Sequence, residues 1–130
     1  MENLFITSTA LTPEVNFVYS NGDFFIKGKS IPEDAEEFYT PVLRWMDGFL
    51  ETPVANVHLT IELEFFNISS SKRILFLMYK LNELAAKGTN VKISWNYKEN
   101  DDDMFEVGQD YAFMVNIPFE FNSFVEEAVA

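Results

Sequence analysis

Two hydrophobic periods alternate along the chain, and each predicts a different element. Val15, Phe17 and Tyr19 share one face of residues 14–19, a period of two that predicts a strand. Asn21-Gly22 follows, a pair suited to the positive φ of a type I′ turn, so residues 23–29 read as the returning strand of a β-hairpin. Ser30-Ile31-Pro32-Glu33 has the composition of a helix start, with Ser30 as the N-cap and Pro32 in the first turn. From there Ala35, Phe38, Tyr39, Val42, Met46, Phe49 and Leu50 recur at helical spacing to about residue 51. Pro41 has no N–H for an intrahelical bond and is expected to kink or break that helix near Tyr39.

Residues 56–65 carry the clearest strand pattern. Val57, Leu59, Ile61, Leu63 and Phe65 fall on one face, and His58, Thr60, Glu62 and Glu64 on the other. The next stretch, Asn67-Ile68-Ser69-Ser70-Ser71-Lys72, leads into a second helical stripe of Ile74, Leu77, Met78, Leu81, Leu84 and Ala85, closed by a C-terminal glycine, Gly88. Val91, Ile93, Trp95 and Tyr97 alternate with Lys92, Ser94, Asn96 and Lys98 in a further one-faced strand. Asp101-Asp102-Asp103 opens a helix reaching about residue 112, since carboxylates suit the positive end of the helix dipole. Val115, Ile117, Phe119 and Phe121 alternate around Pro118, which cannot donate to a ladder and so predicts an edge strand. The order β-β-α-β-α-β-α-β over residues 1–130 implies a single α/β domain. Its sheet should be mainly parallel or mixed, begun by the hairpin, with helices chiefly on one face.

Composition narrows the chemistry. Apolar residues make up 48% and aromatics 16% of the chain, enough to build a core, so the net charge of −12 does not signal disorder. That charge argues against nucleic acid or an anionic membrane as partner, because both need clustered Lys and Arg. With no cysteine, disulfides, thiol nucleophiles and zinc-thiolate sites are excluded. No secretory signal and no apolar run near the ~18 residues of a membrane span are present, which predicts a cytoplasmic protein.

Enzyme signatures are sparse. The one histidine, His58, lies mid-strand and reads as structural, and no nucleophile elbow, phosphate-binding loop or dinucleotide fingerprint occurs. The Asp101–Asp103 run lacks the spacing of a calcium loop and reads as a helix start. No catalytic residue, metal or cofactor is therefore expected. The phenylalanines read as core, although a small-molecule or lipid-binding module with a Phe-rich interior is an alternative. At the serine run, capping explains one hydroxyl or Asn67, but it leaves Lys72 and Arg73 where the helix dipole disfavours cations. Their placement suggests a compensating anion, and a phosphate there would meet free N–H groups and two basic side chains.

The element order and the serine-bearing start of the second helix are similar to the STAS-type fold of anti-sigma factor antagonists, without their Asp-Ser-Ser/x-Gly motif. A closer resemblance is to the SiaC family of regulatory phosphoproteins. It rests on Ser30-Ile31-Pro32-Glu33-Asp34, on Phe66-Asn67-Ile68-Ser69-Ser70-Ser71-Lys72, and on residues 91–97 with Trp95 and Tyr97. The resemblance implies a STAS-like, non-enzymatic partner-switching protein. Its partners would be a Ser/Thr kinase, a PP2C-like phosphatase and a diguanylate cyclase, in cyclic-di-GMP and biofilm control. The family's phosphorylated residue is the Thr after the Asn, and Ile68 stands at that position here. Either Ser69, with Ser70 next, takes the phosphate, or the chain is locked in one state. Asn67, Ser71, Lys72 and Arg73 complete the expected switch surface, at the N-terminal end of a second helix starting near Ser70, with the hairpin edge beside it.

Overall fold

Residues 1–125 are described by the computed structural model. Among them the elements run β1 (Leu4–Ile6), β2 (Glu14–Val18), β3 (Asp23–Ser30), α1 (Ala35–Glu51), β4 (Asn56–Phe66), α2 (Ile68–Ala86), β5 (Asn90–Lys98), α3 (Asp102–Met114) and β6 (Phe119–Phe124). The strands form a six-stranded mixed sheet in sequential order, β1 to β6. The β1–β2 and β2–β3 pairs are antiparallel, and the β3–β4, β4–β5 and β5–β6 pairs are parallel. Parallel crossovers are right-handed, so stepping in one direction puts each connecting helix on the same face. The expected sheet with helices on one face is what forms.

The core lies between that face and the helices. Val57, Leu59, Ile61 and Leu63 of β4 meet Tyr39, Val42, Met46 and Phe49 of α1 and Ile74, Leu77, Met78 and Leu81 of α2, all buried. The aromatic side chains pack on one another: Phe17 stacks on Phe24 at 4.7 Å between centroids, and Trp45 on Phe49 at 5.4 Å. Phe24 also packs edge-on against Trp45 and Phe49, so the buried phenylalanines contact one another and Trp45. The opposite sheet face is polar, with Lys27 and Glu62 at 3.4 Å and Lys92 and Glu120 at 2.8 Å. On it His58 Nε2 lies 2.6 Å from Ser94 Oγ, a cross-strand bond.

Several local expectations are corrected. Leu4–Ile6 adds a strand against Val15–Phe17, so the hairpin edge expected at the partner surface is covered. Three residues are too short to show a period in sequence. The hairpin connection is not a type I′ turn. Asn21 has negative φ, only Gly22 is positive at +71°, and the Gly22 N–H reaches Val18 O at 3.1 Å across a wider loop. Gly22 is required there because a Cβ would fall 2.0 Å from Asn56 O of β4.

Asp34, not Ser30, caps α1, its carboxylate accepting from the Glu37 N–H at 3.0 Å. Ser30 instead ends β3 opposite Phe66, where the ladder and a buried hydroxyl partner hold it. Helix α1 runs through Pro41 unbroken. Pro41 is on its exposed side, as is Glu37, whose carbonyl loses its donor to water rather than to a dry core. In β4, Gly28 pairs with Leu63 but Lys29 with Phe65, leaving Glu64 as an extra residue. This bulge reverses the alternation, so Phe65 is exposed and Phe66 turns inward against Trp95. Helix α2 begins at Ile68, before the expected start near Ser70. Gly88, at φ +103°, follows its C-cap as expected.

Candidate functional site

The β4–α2 junction lies at the carboxyl ends of the parallel strands, where α/β sheets most often bind their partners. Asn67 caps α2: its Oδ1 accepts the Ser70 N–H at 2.8 Å, and its Nδ2 donates to Pro32 O at 3.3 Å. Its own N–H donates to Ser30 O at 3.0 Å, which fixes the junction against the end of β3. Of the expected candidates, a serine hydroxyl or Asn67, the cap is Asn67. Its side chain is one atom longer than serine's and can cap and hold Pro32 at once.

The serines divide by burial. Ile68 is 89% exposed and Ser69 is exposed beside it. Ser70 is fully buried, and Ser30 Oγ donates to its Oγ at 2.9 Å. Ser30 has one proton, so the 2.6 Å contact with the Tyr39 hydroxyl is a donation from Tyr39. The result is a buried hydroxyl chain from α1 through β3 to α2. Burial pushes the Tyr39 phenol up to about 12, against a smaller opposing effect of the Ser30 bond. Ser71 Oγ donates to Ile68 O at 2.8 Å, and Ser71 O accepts from the Tyr111 hydroxyl of α3 at 2.9 Å. Burial also raises the Tyr111 phenol, so both tyrosines remain proton donors at neutral pH.

The two cations differ as well. Arg73 meets a carboxylate of the chain itself, Glu36 of α1, at 3.7 Å, and lies over the Phe76 ring at 5.5 Å. The compensating anion that its position called for is therefore present as a side chain. Its Nε is buried without a hydrogen-bond partner among the described residues. Lys72 is exposed, 6.0 Å from the same ring.

Beside the first turns of α2, and walled on its other side by α3, runs an open groove of about 690 Å³. Phe66, Ile68 and Leu75 line one side, and Met104, Val107 and Met114 the other. Glu64, Asp101, Asp103 and Asp110 also border it, with Lys72 as its single cation. The Asp101 carboxylate accepts the Met104 N–H at 3.0 Å, making it the N-cap of α3. Sequence reasoning brought Asn67, Ser69, Ser70, Ser71, Lys72 and Arg73 to one place and missed Ser30, Tyr39, Tyr111 and the groove. Two signals pointed to the groove: adjacent Phe65-Phe66 in an alternating strand, and Met114 at the end of a helical stripe where it is half exposed. Among the described residues, no cluster of three or more His, Asp or Glu side chains is placed to hold a metal. No described helix is long and apolar enough to cross a membrane.

Comparison with known proteins bears on this site. The model of the SiaC family, regulatory phosphoproteins, matches residues 6–124. An uncharacterized protein of Pseudomonas aeruginosa is 26% identical over 119 residues, covering 92% of this chain and 94% of that one. The crystal structure of apo-SiaC from Pseudomonas aeruginosa superposes with a TM-score of 0.89 at 25% identity, over 95% of this chain and 100% of that one. SiaC bound to the diguanylate cyclase SiaD of Pseudomonas aeruginosa, where it is described as the activator, gives 0.88 at 25% identity over 93% and 99%.

Proposed function

Given that the chain belongs to the SiaC family of regulatory phosphoproteins, we propose that it is a non-catalytic, cytoplasmic switch protein that binds and controls a diguanylate cyclase. Binding would use the β4–α2 junction, and a phosphate on Ser69 would weaken it. The single observation that carries the reading is the exposed first turn of α2, where Ile68 borders an apolar groove and Ser69 is exposed next to it. A solved relative of the same fold is an activator bound to such a cyclase. A Ser/Thr kinase and a PP2C-like phosphatase would add and remove the phosphate, as the family resemblance implies.

Ser69 is the better acceptor of the two serines. It is exposed, whereas Ser70 is fully buried with its oxygen already bonded to Ser30. A kinase would have to open the hydroxyl chain to reach Ser70. Lys72 and Arg73 follow Ser69 by three and four residues, the spacing that puts side chains on one helix face. A phosphate would bring about −1.5 to −2 charges to that face, tolerated by the two cations and the helix dipole. The same charge and bulk would stand where a partner must approach. Asn67 and Ser71 hold the turn in place, and Lys72 and Arg73 flank its exposed side.

The test is incubation with the cognate kinase, peptide mass spectrometry of the site, and binding of each form to the cyclase. Unmodified protein and Ser69→Ala should bind alike, while phosphorylated protein and Ser69→Asp should bind at least about tenfold more weakly, the scale of a charge placed in an interface. Phosphate found only outside residues 67–71, or absent despite an active kinase, would point to a constitutive binder and sink the switch.

A further inference from the structure

The groove has a chemistry that the exposed serine turn does not. Its walls are apolar, yet four carboxylates and one ammonium border it. Two of the four are engaged, Asp101 as the α3 cap and Glu64 near Lys29 at 3.9 Å. Asp103 and Asp110 form no ion pair among the described residues. They stand seven residues apart on α3, two helical turns, so they share a face about 10 Å apart. Between them Val107 points the apolar stripe of α3 into the groove, and Met114 extends it one turn on. Ile68 and Met114 are exposed at its mouth, so the chain's own described residues do not cover it.

An occupant must bring apolar side chains for the walls and cations for the rim. It must also satisfy its own backbone, because the groove is bordered by two helices and the end of β4, an inner strand between β3 and β5, and so offers no edge strand for a partner's N–H and C=O groups. A helix does this internally. We infer that the groove between α2 and α3 takes a cationic amphipathic helix, with Lys or Arg two turns apart facing Asp103 and Asp110 and apolar side chains between them. This rests on the reading of the chain as a partner-binding protein and names the chemistry of the partner's docking segment. The exposed ion pairs set orientation and association rate, and the apolar contacts set residence time.

The experiment uses the whole chain, isotope-labelled, and a synthetic amphipathic helical peptide with leucines at helical spacing and lysines two turns apart. A twin with glutamate for each lysine is the comparison. Amide shifts on adding the lysine peptide should centre on Ile68, Leu75, Val107 and Met114, and its affinity should exceed the twin's by at least about tenfold. Asp103→Lys/Asp110→Lys should lose about tenfold, and Asp103→Asn/Asp110→Asn a smaller part if the lysines impair folding. Asp23→Lys/Glu51→Lys, with the same change in net charge at the other end of the sheet, should bind as the parent does. Shifts centred on the open sheet face, equal affinity for the twin, equal losses in rim and remote variants, or no binding would each overturn the inference. The same variants are then tried on the full-length diguanylate cyclase. A parent chain that binds the peptide in the groove but not the cyclase removes the cyclase reading and leaves the groove assignment standing.

Discussion

At the scale of single residues, the junction depends on hydroxyls whose partners come from distant parts of the chain. Tyr39 is the clearest case, buried and bonded to Ser30, with its phenol pushed up to about 12 from an ordinary value of 10.0. A raised folded pKa means that the folded state keeps a proton which the unfolded chain releases. The stabilisation is complete below pH 10 and is lost as pH rises from 10 to 12, the folded value. The two-unit shift corresponds to roughly 2–3 kcal/mol over that window. Urea unfolding at successive pH values should show stability falling above pH ~10. Tyr39→Phe should flatten the fall without removing it, because Tyr111 is shifted in the same direction. An unchanged alkaline slope in Tyr39→Phe would mean that its hydroxyl is not buried as described.

At the scale of elements, the groove exists because α3 is seated on β5 by a glycine. Gly108 faces Trp95, and a Cβ built there would lie 2.5 Å from the indole Cδ1, while the indole N–H donates to Met104 O at 3.0 Å. Ordinarily alanine for glycine inside a helix gains up to about 1 kcal/mol. Here the ring cannot retreat, since it is buried against Phe66 and Tyr111. Overpacking of this kind costs about 1–3 kcal/mol. Gly108→Ala should therefore lower the urea midpoint with little change in slope and alter the tryptophan emission. A midpoint equal to or above the parent's would show that α3 is not held against Trp95. Because α3 forms one wall of the groove, the same substitution should also weaken peptide binding there.

At the scale of the whole molecule, the charge of −12 works against the folded state and for a cationic partner. Like charges crowd together on folding, whereas the ion pairs among the described residues lie at or near the surface and are individually weak. Raising salt from low ionic strength to about 0.15 M shortens the screening length to about 8 Å. Thermal unfolding should then move to higher temperature while binding of the lysine peptide becomes weaker. The two opposite responses are read from one buffer series by calorimetry and by titration. A melting temperature that falls with salt would mean that the surface ion pairs outweigh the net repulsion.

The sequence by itself determined the elements whose burial is periodic. Residues 57–63 alternate in burial, residues 91–95 alternate in their apolar side chains, and residues 74–84 follow a helical stripe because one face of each meets the same core, and a face buried in that core must be apolar wherever the partner comes from. It also located the α2 start to within two residues, since Asn67 and the serines carry local hydrogen-bonding chemistry. Elsewhere only the tertiary structure decided. Whether Ser30 caps a helix or ends a strand depended on Phe66 across the ladder and Tyr39 above it. Which hydroxyl of Ser69-Ser70-Ser71 reaches solvent depended on where Ser30 lay. The β4 bulge exposed Phe65 through its pairing with β3, and the groove arose from the gap between two helices that β5 separates in the chain. Local propensity and period are written in neighbouring residues, but a partner supplied from 30 or 40 positions away leaves no mark on the stretch it completes.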